Sequence, residues 1–388
     1  MTPDESLPVV LDPRVPNERE TMKNLMRRKD IAVIDEMDSF LEEIYAIRHP
    51  ECVRTGIPPE DLEKYLATLA GVGEERKEFG VWVWYPWKSL LIHVLPEPLH
   101  TELRTSRNRN LITASEQQRY YESYIGVMGL SVGNAVVASL VHTGGAKHLR
   151  IADHDRLSGS NLNRIRTGLD SVGLPKCTIA LREIYLVNPF ADVTVYGEGI
   201  RGDNLDRFLT VPKHLDVVID EMDSLYLKIR LRLRARELGI PVIMAADNGD
   251  GIVVDIERYD LDTSLPIMHG QVPEAELLRI TPDISRPEAA RIITSWVKPE
   301  NVSGRMKDSL LELGKSLYTW PQLGNAAFMA GSVLSYIVRK IVNGEPVNSG
   351  KTVINPDAFF VPGYDSEAMR TKREEETVKF AKAIGLTD

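Results

Sequence analysis

Cysteine is scarce in this chain: Cys52 and Cys177 are the only two in 388 residues. Two cysteines build neither a disulfide framework nor a four-cysteine zinc site. Long apolar runs are missing as well. The longest extends from Ala326 to Val338 and is interrupted by Ser332 and Ser335. It is too short to span a bilayer and suits a buried helix. Basic excess is absent: Lys and Arg number 47 against 56 Asp and Glu, a formal charge of −9. A net-acidic chain argues against generic nucleic-acid binding, although a local basic groove stays compatible with it. The first residues, Met1 to Pro13, lack the basic-then-apolar pattern of an export signal, so the cytoplasm is the expected compartment. No internal repeat and no low-complexity tract stands out. What is present is ordinary for a globular chain, with 43% hydrophobic and 27% charged residues and length for two or three structural units.

Residues 1–30 are rich in proline and charge and read as a loose arm. Residues 31–47 have the mixed apolar and acidic spacing of a helix, and residues 59–70 suit a second one with Pro59 near its start. Residues 81–96 (VWVWYPWKSLLIHVLP) read as two short strands turned near Pro86–Lys88. Residues 1–100 thus resemble a small winged-helix or peptide-clamp module. A plain dimer-forming extension is the alternative.

From residue 101 to 265 strand and helix alternate. Strands are expected at 124–128, 148–152, 192–196, 215–219, 241–246 and 251–259, with helices at 132–143, 175–186 and 224–238. This order predicts an α/β, Rossmann-like, mainly parallel sheet with helices on both faces. The KIRLRLRAR stretch alternates with period two, as a strand would. Its length and the Gly239-Ile240-Pro241 stop favour a helix, with the arginines as a solvated face. Residues 266–388 read as a helical region, with helices at 286–297, 305–317, 324–343 and from Ser366 onward. That region is expected to complete the substrate site and a dimer.

Four signals carry the chemistry. Gly129-Leu130-Ser131-Val132-Gly133-Asn134 follows a strand and opens a helix, a place where backbone N–H groups approach phosphate. It is not GxGxxG, because Ser131 and Asn134 hold the later glycine positions. Asp153-His154-Asp155 ends the second strand, where an acid can accept from ribose hydroxyls. These two signals indicate a nucleotide and leave NAD and ATP both open. The third signal is Ser160-Asn161-Leu162-Asn163-Arg164 with Gly173-Leu174-Pro175-Lys176. A triphosphate needs cations, which Arg164 and Lys176 supply, whereas a nicotinamide gives them no common task. The fourth is Asp220-Glu221-Met222-Asp223 after a later strand, where a carboxylate can hold Mg²⁺.

The order of glycine loop, D-x-D, S-N-L-x-R, G-x-x-K, Val187-Asn188-Pro189 and D-x-x-D resembles the ThiF/MoeB/E1-like adenylyltransferase superfamily, over about residues 100–260. The resemblance implies a Rossmann-like ATP-binding domain, a homodimer, and adenylation of a terminal carboxylate with release of pyrophosphate. It implies that Gly129, Ser131 and Gly133 form the nucleotide loop and that Asp153, with Asp155, is the ribose-binding acid. Asn161, Arg164 and Lys176 correspond to phosphate contacts, and Asp223 to the Mg²⁺-associated aspartate. Arg104-Thr105-Ser106-Arg107-Asn108 resembles the segment whose second arginine, here Arg107, reaches the partner subunit's site. Arg109 is a rival for that task.

Three departures qualify the likeness: the degenerate glycine loop, the missing paired C-x-x-C zinc motifs, and no cysteine where a thioester-forming nucleophile is expected. Cys177 follows Lys176 at a helix start and reads as a packed small residue. His142, His154 and His269 read as structural rather than catalytic. Trp320 and Gln322 either line the substrate channel or simply precede the apolar helix. The expected substrate is a peptide or small protein, with ATP and Mg²⁺ as cofactors and no membrane or nucleic-acid partner. Within that frame, amide or ring formation on a ribosomal peptide in natural-product maturation is the main expectation. The residues 1–100 module would capture a leader peptide by strand addition. E1-like activation of a ubiquitin-like or sulfur-carrier protein is an alternative. An NAD-dependent oxidoreductase and a non-catalytic nucleotide-binding scaffold are the others.

Overall fold

The structure, a computed structural model, describes residues 7–386. It divides into two compact units. One comprises Met1–Gln118, Val141–Gly144 and Leu181–Ala191; the other comprises Arg119–Leu140, Gly145–Ala180 and Asp192–Asp388.

The first unit holds a four-stranded sheet of β1 (Val9–Leu11), β2 (Ala32–Ile34), β3 (Val81–Tyr85) and β4 (Leu90–Val94), in the order β1-β3-β4-β2. Strands β3 and β4 form the expected hairpin, with Trp82 opposite His93. A short 3-10 turn, Pro86–Lys88, joins them and ends on Ser89 at φ 48°. The helix Pro59–Ala70 also lies where the sequence places it.

Two expectations need correction here. The described part of the supposed loose arm carries β1 and the helix Pro16–Met26, which buries Met22 and Leu25. Residues 1–6 of that arm lie outside the described residues. The expected helix over 31–47 begins only at Met37, because Ala32-Val33-Ile34 pairs in parallel with Leu90-Leu91-Ile92. β-Branched residues favour that extended form once a strand is available. Their partner lies far along the chain, so local spacing does not show it.

The second unit is built on a seven-stranded sheet. Its strands are β5 (Tyr124–Met128), β6 (His148–Ala152), β7 (Asp192–Tyr196), β8 (Val217–Asp220), β9 (Val242–Asn248), β10 (Gly251–Glu257) and β11 (Gly350–Ile354). Their order is β11-β10-β9-β8-β5-β6-β7. The run β9-β8-β5-β6-β7 is parallel, and β10 and β11 add antiparallel at one edge. Ile125, Val127, Val217, Val218, Ile219, Val242 and Ile243 are wholly buried. That explains the short uninterrupted apolar runs, since covered parallel strands present no solvent face. The chain leaves β5 toward β6 on one side and returns to β8 on the other. A crevice therefore opens at the carboxyl end of β5. Strand β11, in the region expected to be helical, was not foreseen. The helix expected over 305–317 stops at Leu311.

The helix Leu225–Leu238 forms as expected. Ser224 caps it by accepting from the Leu227 N–H at 3.4 Å, and Gly239 ends it in the left-handed region at φ 65°. Its basic face does not behave as the spacing suggested. Arg230 is exposed, and Arg234 and Arg236 pair outward with Asp206, Glu237 and Glu274. Lys228 and Arg232 instead turn inward and are buried. Arg232 reaches Asp220 and Glu257, each at 2.6 Å, and lies 4.6 Å over the Trp296 ring. Lys228 sits 3.2 Å from the other Asp220 oxygen. Two buried carboxylates from separate strands demand buried cations, and this helix face supplies them.

Candidate nucleotide site

The site is assembled at the carboxyl ends of β5, β6, β8 and β9, all within the second unit. Gly129 turns the chain out of β5 at φ +87°, and an added Cβ would lie 2.3 Å from the Glu221 carbonyl oxygen. Only glycine suits that turn. The Gly129 N–H donates to the Ala152 carbonyl at 2.8 Å, which ties the turn to β6. The helix Gly133–His142 follows at once. The Ala135 and Val136 N–H groups donate to the Val132 carbonyl, and the positive end of the helix dipole there is a natural seat for an anion.

Ser131 and Asn134, the departures from the glycine fingerprint, have a structural explanation. The Arg164 Nε donates to the Ser131 Oγ at 2.9 Å. The Asn134 Oδ1 accepts from the Arg166 N–H at 3.3 Å. These two side chains fasten the arginine-bearing segment onto the loop, which glycine cannot do. The loop's degeneracy is thus an attachment.

Asp153 organises the turn. One carboxylate oxygen accepts from the Leu130 N–H at 2.7 Å and the other from the Asp155 N–H at 2.7 Å. Asp155 is exposed and takes the Lys176 Nζ at 2.7 Å; Asp153 lies 3.8 Å from the same nitrogen. Partial burial works to raise the Asp155 pKa, but the Lys176 ammonium outweighs it and holds the pKa below the ordinary value. His154 projects outward, with its ring 3.5 Å from Asp155. Asn161 closes the short 3-10 helix Gly159–Asn163 by accepting from the Ser158 N–H at 3.0 Å. Arg164 is half-buried. Burial depresses its pKa, while the carboxylates of Asp247 and Asp223 pull it upward. Its guanidinium is thus bonded to the loop and within electrostatic reach of two acids.

The two ends of the D-x-x-D segment differ. Asp220 is buried and committed to Lys228 and Arg232. Burial works to raise its pKa, but those two cations outweigh it and hold the pKa low. Asp223 is exposed and makes no hydrogen bond or ion pair among the described residues, so its oxygens can accept a hydrated cation. Glu221 accepts from the Ala245 N–H at 2.9 Å, and burial pushes its carboxyl well above the usual range. Arg107 stands in the first unit, exposed, on the 3-10 turn Ser106–Asn108. Arg109 is engaged there by the Ile47 carbonyl at 3.0 Å and by Glu102 at 3.3 Å.

Gln322 joins the site. Its Nε2 donates to Asp247 at 3.2 Å, and its backbone carbonyl accepts from the Asn163 side-chain amide at 2.7 Å. Trp320 is partly exposed, and the apolar helix begins at Gly324. Asp247 was missed. It begins Asp247-Asn248-Gly249-Asp250-Gly251, which reads as an acidic hairpin turn and hides a carboxylate at the sheet edge. Burial pushes its pKa to about 6, against the pull of Gln322 and Arg164. Cys177 is a packed residue, as expected. Its thiol donates to the Asp153 carbonyl at 3.3 Å, and burial pushes its pKa up to about 12. A thiol so held is not a nucleophile near neutral pH. His269 is structural too. Burial opposes its charge, but the bond to Asp255 at 3.1 Å and the nearby Glu257 outweigh that and raise its pKa. No helix among the described residues is long and apolar enough to cross a membrane.

Residues 105–311, more than half of the chain, match the ThiF family. An uncharacterized protein of Mycobacterium tuberculosis (strain CDC 1551 / Oshkosh) is 34% identical over 311 residues, covering 77% of this chain and 42% of that protein. The tRNA threonylcarbamoyladenosine dehydratase of Escherichia coli (strain K12) is 31% identical over 138 residues, 35% of this chain and 50% of that protein. The ubiquitin-like modifier-activating enzyme 5 of Drosophila ananassae is 24% identical over 151 residues, 39% of this chain and 38% of that enzyme. The chain spans half or less of the length of these relatives. A crystal structure of E. coli MccB with ATP aligns over 82% of this chain and 85% of that chain, at 16% identity and a TM-score of 0.46.

Proposed function

We propose, from the premise that this chain belongs to the ThiF family, that it adenylates a carboxylate on a protein or peptide partner and hands the acyl group directly to an external nucleophile. The family's chemistry is ATP-dependent activation of a carboxylate. The observation that carries the site assignment is the attachment of Arg164 to Ser131 at 2.9 Å, with Lys176 held against Asp153, the residue that organises the same turn.

A carboxylate is a poor electrophile because its leaving group would be oxide. Attack of its oxygen on the α-phosphorus of ATP releases pyrophosphate and leaves an acyl adenylate, from which AMP departs readily. In this reading Arg164, Lys176 and the Asn161 amide neutralise and orient the phosphates, and preorganised charge lowers the barrier. Mg²⁺, when bound, would further offset phosphate charge, and the unengaged Asp223 would hold it. The Gly129, Ser131 and Gly133 loop would cradle phosphate. Asp155 would accept from a ribose hydroxyl once Lys176 turns to the phosphates, with Asp153 keeping the loop in place. Arg107, exposed and unpaired among the described residues, would act in a partner subunit's site in a homodimer. No general base is required for this step, since the carboxylate is already ionised at neutral pH.

Activation of a protein carboxylate in the E1-like manner is favoured because an enzyme that activates a ubiquitin-like modifier is among the relatives in sequence. The inert Cys177 argues for direct transfer instead of a thioester on that residue. A second reading, maturation of a ribosomal peptide, is supported by one observation. Strands β1 and β2 lie at the two edges of the first unit's sheet, with Val9, Val10, Val33 and Ile34 exposed, and a peptide strand could add there.

The test is ATP–pyrophosphate exchange against a panel of diglycine-ended ubiquitin-like and sulfur-carrier proteins and of peptides. Exchange with one member is expected, and Arg164→Ala and Asp223→Ala should each reduce it at least about a hundredfold while the fold persists. Stabilisation by NADH with none by ATP·Mg²⁺ would overturn the assignment.

A further inference from the structure

We propose that Asp247 is the proton acceptor for an amine nucleophile that attacks the acyl adenylate, so that the product is an amide. This deepens the adenylation reading and rests on it. Asp247 lies near the carboxyl end of β9, on the sheet edge that carries the nucleotide loop. Its Oδ2 accepts from Gln322, while its Oδ1 is buried and has no hydrogen-bond partner. A buried carboxylate oxygen without a donor is costly and marks a place where a donor is meant to arrive. The groups that face it are Arg164 from the segment after the 3-10 helix, Glu221 from the loop after β8, and Gln322 from the segment before the apolar helix. Arg164 is close enough to act on it electrostatically but forms no ion pair with it. The guanidinium is directed at Ser131 instead.

Adenylation has no use for such a base, because the attacking carboxylate carries no proton. The transfer step does. An amine is an ammonium at neutral pH and cannot attack until it loses a proton. The carboxylates of Asp247 and Asp223, both of which act on Arg164, give this edge an acidic character that suits a cation. In the step, the ammonium gives one proton to the Asp247 Oδ1, and the freed nitrogen lone pair forms a C–N bond to the acyl carbon. The bond from that carbon to the AMP oxygen breaks, and AMP leaves with the electron pair. The second N–H proton passes to solvent. No oxidant or further reactant is needed.

The probes are two AMP phosphoramidates of equal size, one bearing an N-(2-aminoethyl) group and the other N-propyl, with AMP as control. Calorimetric titration of the full chain should show the aminoethyl probe binding at least tenfold tighter than the propyl one. Asp247→Asn should abolish that preference while AMP still binds, and Asp247→Glu should restore part of it. The preference should fade below about pH 6, where Asp247 takes a proton. AMP binding certifies that each variant is folded, and the wild-type comparison stands by itself. Equal binding of both probes by a wild-type chain that binds AMP overturns the inference and leaves the nucleotide site intact. A wild-type chain that binds neither AMP nor either probe overturns the nucleotide reading, and the inference with it.

Discussion

Replacing Arg232 with methionine withdraws the guanidinium that Asp220 and Glu257 share. All three side chains are fully buried or nearly so. Methionine keeps much of the stem's packing over Trp296 and removes the charge. Asp220 retains Lys228 at 3.2 Å. Glu257 retains the Tyr259 hydroxyl at 2.7 Å and the Met268 N–H at 2.6 Å, both on Oε1, and loses the cation 2.6 Å from Oε2. Removing one partner of a buried pair costs about 3–5 kcal/mol, and the retained partners place this change near 3. For a unit of this size that is a fall in Tm of about 6–12 °C.

The pH dependence follows from Glu257. Burial already raises its pKa, with Arg232 pulling the other way. Without Arg232 the folded-state pKa rises further above the unfolded value. Such a group contributes stability at low pH that is lost as pH rises through the folded pKa. The deficit should therefore be larger near pH 8 than near pH 5.5. Circular dichroism melts at the two pH values read it, and Arg232→Met/Glu257→Gln should recover at least about half of the loss near pH 8. A Tm change under about 2 °C near pH 8, or a deficit independent of pH, would refute the reasoning.

Gly129→Ala forces a side chain into φ +87° with its Cβ 2.3 Å from the Glu221 carbonyl. A melt should show a loss of about 1–3 kcal/mol, and thermal-shift titration should show no stabilisation by ATP·Mg²⁺. Asp247→Asn should raise stability above about pH 6, because the raised pKa of Asp247 means its charged form opposes folding there. The gain, about 1–3 kcal/mol at pH 8, should vanish as pH falls toward 4; a variant less stable than wild type at pH 8 would contradict this. Cys177 should resist iodoacetamide in the native state and react on unfolding, as mass spectrometry can follow. Cys177→Ala should keep acyl transfer to the external nucleophile with release of AMP, and loss of that transfer in a folded variant that still exchanges pyrophosphate would count against direct acyl transfer.

Much of the second unit could be read from local pattern. Covered parallel strands leave short apolar runs, and a turn out of a strand at positive φ leaves a glycine, as at Gly129. Arg164 and Lys176 stood out because two cations downstream of a nucleotide loop are hard to explain otherwise. Arg232 departs from the solvated face that the spacing predicts for the arginines, and Lys228 turns inward beside it. Spacing shows that a face is basic but not what faces it, and Asp220 and Glu257 come from strands that meet only in the folded sheet. The same distance in sequence hid β2, which needs β4, and β11, which needs β10.

The sequence by itself determined the alternation of strand and helix, the glycine turn and the order of acids and cations, since each is written in neighbouring residues. The tertiary structure alone decided that Ser131 and Asn134 fasten the Arg164 segment, that Asp220 is committed while Asp223 is open, and that one oxygen of Asp247 is left without a donor. Those outcomes depend on which strands and loops become neighbours and on what water is excluded when they do, and neither is recorded in any local stretch of chain.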